Sequence, residues 1–206
     1  MGLAKDMVKD NKKIILLTLG LLVMSVVGVF FINNGILNIT PTTVYEDLYT
    51  QPEVMIEEGV DYKVVIRTIY GDIKIDLYED KAPNAVNSFL FLISEDFYDG
   101  LKFHKVITDF VLQAGDHIGD GNGNPGYELE QDVNDIEVDE YSVSMVNGSQ
   151  FFIVPKGADV SQLSDYTVMG EVIGGFSVVD AIEKVAVEEY KPINDVTISS
   201  ILIIEE

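Results

Sequence analysis

The chain has 206 residues, 47% of them hydrophobic and 23% charged, which is enough for one ordinary domain with a core plus something extra, and excludes wholesale disorder. There are no cysteines and only two histidines, His104 and His117, so disulfide frameworks, thiolate metal sites, cysteine nucleophiles and histidine-rich metal centres are excluded. Lys plus Arg number 13 against 35 Asp plus Glu, a net charge of -22. A surface so acidic repels phosphate backbones and excludes nucleic acid as a natural partner.

Charge is divided unevenly. Residues 1–13 carry Lys5, Lys9, Lys12 and Lys13 against Asp6 and Asp10, a local +2, so the remaining residues hold 9 basic and 33 acidic side chains. The run Ile14 to Ile32 then spans 19 residues without a charge and with no polar stripe, the length and character of a transmembrane helix. It is longer than a usual signal-peptide core, and no A-x-A-like cleavage site follows, so an uncleaved anchor is expected. Lysines before the run and an acidic remainder place the N-terminus in the cytoplasm and the rest outside the cell membrane, in a single pass. The organisation is therefore a short cytoplasmic segment at 1–13, an anchor in the lipid bilayer at 14–32, a stalk broken by Asn33, Asn34, Gly35, Pro41 and Pro52 at 33–60, and a globular domain at 61–206.

From Tyr62 the pattern alternates as strands do. Val64 to Ile69, a turn at Tyr70-Gly71-Asp72, and Ile73 to Tyr78 read as a hairpin with Ile73, Ile75 and Leu77 on one side. Ala82 to Ser94 is a helix with Val86, Phe89, Leu90 and Ile93 at helical spacing, Pro83 near its start and Asn84 as its cap. Further strands are expected over Leu101–Ile107, Phe110–Gln113, Ser142–Val146, Ser149–Val154, Thr167–Ile173 and Val196–Ile204, with a second helix over Ser177–Val185 that buries Val178, Val179 and Ile182. Eight short strands and two helices give a mainly β fold, a closed eight-stranded antiparallel barrel capped by the helices.

The glycine-rich stretch Gly115 to Gly126 carries a dinucleotide-like string, Gly121-x-Gly123-x-x-Gly126, but Pro125 interrupts it and Tyr127-Glu128-Leu129 is extended where a helix is required. Asp120-x-Asn122-x-Asn124 opens like a calcium loop, yet Pro125 sits where the sharp turn needs glycine and Gln131 where the closing Glu belongs. It reads as a surface loop, and neither a cofactor nor a metal is implied. Two sequon strings, Asn38-Ile39-Thr40 and Asn147-Gly148-Ser149, are also present. In Phe103-His104-Lys105-Val106-Ile107, alternation sends Lys105 opposite to His104. In Phe110-Val111-Leu112-Gln113, Val111 shares a face with Gln113, and in Gly148-Ser149-Gln150-Phe151-Phe152-Ile153, Gln150 shares one with Phe152.

Taken together and in this order, these segments resemble the cyclophilin family of peptidyl-prolyl cis-trans isomerases, over Tyr62 to Ile204. The resemblance rests on Gly71-Asp72-Ile73, Ala82-Pro83, Phe97-Tyr98-Asp99-Gly100, FHKVI, FVLQAGD, Pro125-Gly126-Tyr127, GSQFFI, Tyr166-Thr167-Val168-Met169-Gly170 and the Val178-Val179 helix. The lead-in Pro52 to Ile56 is similar to that of bacterial membrane-associated members. It implies a groove for proline-containing polypeptides. Lys105, Gln113 and Phe110 would be catalytic, and Val111, Asn147, Gln150, Phe152, Leu163 and Tyr166 would bind substrate. His104 would be a core histidine.

The chain departs from the family pattern in four ways. Lys105 stands where the family has arginine, and Val111 where it has methionine. The segment before Gly148 is shortened, so that of the family's Ala-Asn-Ala wall only Asn147 has a counterpart. Gln162 lies nearest the tryptophan of cyclosporin-sensitive members, which implies poor cyclosporin binding. Two functions follow: a membrane-tethered isomerase of reduced activity that assists exported or membrane proteins, or a catalytically impaired cyclophilin-like docking subunit of a membrane complex.

Overall fold

In the computed structural model, residues 48–206 are described. Strands β1 (Tyr62–Thr68) and β2 (Gly71–Leu77) form the anticipated hairpin, in register from Lys63 opposite Asp76 to Thr68 opposite Gly71. Its turn is held by Thr68, whose hydroxyl donates to the Gly71 carbonyl (2.9 Å) and accepts from the Tyr70 amide (3.0 Å). Ile73, Ile75 and Leu77 are all buried, as the alternation predicts. Helix α1 (Pro83–Ser94) buries Val86, Phe89, Leu90 and Ile93, with proline in its first turn, where a missing N–H costs nothing. Asn84 is not its cap. The free amides of Asn84 and Ala85 are received instead by the two carboxylate oxygens of Asp132, at 3.1 and 2.8 Å.

The remaining strands are β3 (Lys105–Ile107), β4 (Val111–Ala114), β5 (Ser142–Met145), β6 (Phe151–Ile153), β7 (Thr167–Gly174), the pair β8 (Val187–Glu188) and β9 (Lys191–Pro192), and β10 (Ile198–Glu205). Helix α2 (Phe176–Glu183) lies between β7 and β8 and buries Val179 and Ile182, with Val178 partly buried. One antiparallel sheet runs in the order β10-β1-β2-β7-β5-β6-β4-β3.

The expected closed barrel is corrected here to an open one, because the two end strands do not pair with each other. The reason is local. Only Lys105–Ile107 of the expected Leu101–Ile107 strand is a strand, and the residues before it meet the approach to β10 through a single bridge, Lys102 opposite Thr197. Amides of Gly100 and Phe103 bond to the carbonyls of Ile198 and Val196, both at 2.9 Å, and the Val106 amide goes to the Tyr190 carbonyl (2.7 Å) in the turn between β8 and β9.

Among the described residues no helix is long and apolar enough to cross a membrane, and the expected anchor at 14–32 lies outside them. The last part of the expected stalk is not a free spacer. The Met55 amide bonds to the Asn87 side chain on α1 (2.7 Å), Asn87 donates back to the Glu53 carbonyl (2.8 Å), and the Tyr49 ring meets Phe91 edge-on at 5.2 Å.

Alternation places apolar residues on both faces of the sheet. One face, with Val106, Leu112, Phe151, Ile153 and Met169, joins α1 and the β1–β2 hairpin in the main core. The other carries a second, smaller cluster of Val111, Val138, Phe152, Val154, Leu163 and Val168, roofed by the segment between β6 and β7. Burial of such side chains stabilises by about 1.5–3 kcal/mol each. That second face positions the site.

Candidate functional site on the outer face of the sheet

Strand register assembles the site. Lys105 lies opposite Gln113, Gln113 opposite Phe152, Phe152 opposite Ser144, and Ser144 opposite Val168. Directly opposed residues share a face, so these five side chains form one row across β3, β4, β6, β5 and β7. Along β4, Val111 flanks Gln113 on the same side.

Phe152, Leu163 and Val111 are only 2%, 3% and 4% exposed and make the apolar floor. Phe110 is half-buried at its border, and Tyr166, 38% exposed, stands over Phe152 with ring centroids 5.1 Å apart and planes at 89°. Lys105 and Gln113 are half-buried at the polar end, and Lys105 makes no ion pair among the described residues. Seven of the nine expected site residues, Lys105, Phe110, Val111, Gln113, Phe152, Leu163 and Tyr166, thus belong to this one face.

The other two are placed differently. Gln150 is fully buried, and its amide is spent within the protein: its oxygen accepts from Gln113 Nε2 (2.7 Å), and its Nε2 donates to the carbonyls of Gly123 (2.7 Å) and Gly121 (3.1 Å). Asn147 closes the shortened turn, accepting from the amides of Ser149 (3.1 Å) and Gln150 (2.9 Å) and donating to the Gly123 carbonyl (3.1 Å). Both amides therefore orient the site from behind, and Gln113 alone presents a side-chain amide on the outer face. The turn is tight enough that a side chain at Gly148 would come within 2.8 Å of Pro125 Cγ.

Sequence reading missed Asp116. It is buried and folds the glycine loop around itself, accepting from the amides of Ile118 (2.8 Å), Gly121 and Gly123 (3.1 Å). Burial would raise its pKa, but the surrounding amides and the neighbouring His104 overcome this and leave it below the ordinary 3.8. The two loop carbonyls that hold Gln150 are thereby fixed by Asp116. Its signal in the sequence is an aspartate followed by glycines at 119, 121 and 123, where unhindered amides can converge on one carboxylate.

His104 lies on the other side from Lys105, as alternation requires, and is buried. Burial lowers its pKa from 6.5, with Lys105 and Lys191 acting in the same direction and the Asp116 charge opposing them. The folded state therefore takes up a proton less readily than the unfolded chain. Its contribution to stability is complete above 6.5 and is lost as pH falls below that value. Urea unfolding at pH 7.5 and pH 5.5 is expected to show a smaller pH-dependent loss for His104→Gln than for the native chain. An identical loss in both would contradict the assignment. Among the described residues no group of three or more His, Asp and Glu is arranged to hold a metal ion.

The sheet order and this row of lysine, glutamine and phenylalanine define a cyclophilin-type domain. The family model for cyclophilin-type peptidyl-prolyl cis-trans isomerases matches residues 63–203, and the chain belongs to that family. It is 37% identical over 155 residues to peptidyl-prolyl cis-trans isomerase-like 3 of Gallus gallus, covering 68% of this chain and 94% of the relative. Peptidyl-prolyl cis-trans isomerase 10 of Caenorhabditis elegans is 38% identical over 153 residues, with the same coverage. Among solved structures, a cyclophilin-type isomerase of Cryptosporidium parvum superposes with a TM-score of 0.63 at 31% identity, covering 69% of this chain and 97% of that one. The same parasite enzyme, solved in the presence of the dipeptide Ala-Pro, gives 0.62 at 31% identity, with 68% and 98% covered.

Proposed function

We propose that the chain is a peptidyl-prolyl cis-trans isomerase that uses the outer-face row as its groove. An X-Pro bond turns slowly because rotation breaks amide resonance, against a barrier of roughly 20 kcal/mol. No nucleophile or acid-base pair is required. The surface must hold the proline ring against apolar walls, fix the adjoining peptide, and donate hydrogen bonds that favour the twisted amide over the planar one. The floor of Val111, Phe152 and Leu163 with the rims of Phe110 and Tyr166 suits the ring, Gln113 suits the peptide, and the Lys105 ammonium is the donor. The observation that carries the reading is the register that puts Lys105, Gln113 and Phe152 side by side on one face.

The activity is proposed to be low. Lysine is a flexible, strongly hydrated point charge where the family has a planar fork of donors in fixed directions. The work is proposed to take place outside the cytoplasmic membrane, on exported or membrane proteins, with residues 14–32 as the anchor; the uncharged run behind four lysines supports this placement. A second reading, a docking subunit of a membrane complex with impaired catalysis, is favoured by the internal commitment of Asn147 and Gln150, which leaves a peptide fewer partners.

Exchange spectroscopy on a short Ala-Pro peptide with the full chain separates the two. Acceleration of cis-trans exchange is expected, and Phe152→Ala should remove most of it. Because Phe152 is buried, the variant's far-ultraviolet dichroism and urea midpoint are recorded alongside. No acceleration by the native, folded chain would favour the docking reading, and a folded Phe152→Ala chain with full activity would show that the groove lies elsewhere.

A further inference from the structure

Asp116 and Glu183 are the only buried carboxylates among the described residues. Taking a carboxylate out of water is costly unless hydrogen bonds offset the loss. Asp116 is taken up by the glycine loop, whereas Glu183, 7% exposed and the last residue of α2, has no part in the mechanism above. Its Oε1 accepts from the backbone amide of Asp109 at 2.9 Å.

Asp109 is an exposed residue in the turn between β3 and β4, directly before the groove residues Phe110 and Val111. Its φ is 56°, a left-handed backbone that a side chain disfavours, so the turn needs outside support to keep this shape. Both of its backbone groups receive it. The amide is held by Glu183, in a bond strengthened by the carboxylate charge, and the carbonyl accepts from the Asp159 amide at 3.0 Å. Asp159 belongs to the segment between β6 and β7 that supplies Leu163, and the Leu163 amide bonds back within that segment to the Val160 carbonyl at 2.9 Å. One peptide unit thus ties α2, the turn before Phe110 and the segment bearing Leu163 together.

We propose that Glu183 is a positioning residue of the prolyl groove: by holding the Asp109 amide it fixes the spacing between Phe110 and Val111 on one side and Leu163 on the other. The inference rests on the isomerase reading of that groove. These apolar walls grip the proline ring alike in the planar and the twisted amide. Loss of their spacing weakens both states together and so acts on KM, where Lys105 acts on kcat.

With the full chain, KM and kcat are read from exchange rates of the Ala-Pro peptide across its concentration. Glu183→Ala is expected to raise KM about fivefold or more with kcat within about twofold of native. Glu183→Gln keeps an oxygen that can accept from the Asp109 amide and should restore most of the native KM. Val196→Ala, a truncation in the main core, should lower the urea midpoint without moving KM. Amide hydrogen exchange of the native chain adds a readout that needs no variant: the Asp109 amide should exchange slowly although the residue is exposed. An Asp109 amide that exchanges as fast as an open loop, a Glu183→Ala chain that loses only kcat, or a Glu183→Gln chain as impaired as Glu183→Ala would each overturn the proposal. A native chain without activity would overturn the isomerase reading and this inference with it, whereas an active native chain and an unaltered KM in Glu183→Ala would overturn this inference alone.

Discussion

Lys105→Arg is expected to speed prolyl exchange by the full chain roughly ten- to a few-hundred-fold, and Lys105→Met to abolish most of what the native chain achieves. The argument is one of donor geometry. Lys105 sits in register with Gln113 at the polar end of the row, half-buried and without an ion pair among the described residues, so its ammonium is available to the groove. A guanidinium there would present two or more N–H donors in fixed directions, while the ammonium must be held in place against its own hydration and a flexible stem. If the misplaced donor costs about 1.4–3 kcal/mol of transition-state stabilisation, the rate ratio follows directly. The substitution should act mainly on kcat, since the apolar floor that binds the ring is untouched. Equal rates for the lysine, arginine and methionine chains would remove Lys105 from the mechanism.

The largest stability effect is expected at Asp116. Asp116→Ala removes the buried carboxylate on which the amides of Ile118, Gly121 and Gly123 converge, leaves the buried Gly123 amide without its acceptor, and should cost about 2–4 kcal/mol, read as a fall in the urea midpoint at unchanged slope. Asp116→Asn should also destabilise, because its NH2 would face amides that are themselves donors. Exchange should fall in parallel, since the carbonyls of Gly121 and Gly123 that hold Gln150, and through it Gln113, lose their anchor. The pH sign follows from the lowered pKa. The carboxylate's contribution is complete above its unfolded value near 3.8 and disappears as pH falls below it, so the native chain and Asp116→Ala should converge in stability in acid. A variant within about 0.5 kcal/mol of the native chain at pH 7 would contradict the role.

Much of the face was legible because strand alternation is a local property. The pairs Val111 with Gln113 and Lys105 against His104 follow from a period of two, and register then brings Lys105, Gln113 and Phe152 together. The β1–β2 hairpin and the buried stripe of α1 were readable for the same reason. Features that depend on distant partners were not. The cap of α1 comes from Asp132, 48 residues along the chain from Asn84. The open edge depends on how few residues before β3 find a partner, which no local pattern encodes. The β8–β9 hairpin turns through Glu189 and Tyr190, both at positive φ (49° and 68°), where sequence reading looks for Asn-Gly. The internal commitment of Gln150 and Asn147 was hidden because their acceptors belong to the glycine loop, which by composition alone is a surface loop.

The outer-face groove itself is tested most directly by a crystal structure of the chain with the dipeptide Ala-Pro. The proline ring is expected against Phe110, Val111, Phe152, Leu163 and Tyr166, with the peptide group within hydrogen-bond reach of Gln113 and the Lys105 ammonium directed at it. A dipeptide bound on another face, or one seated there with Lys105 turned to solvent, would contradict the account.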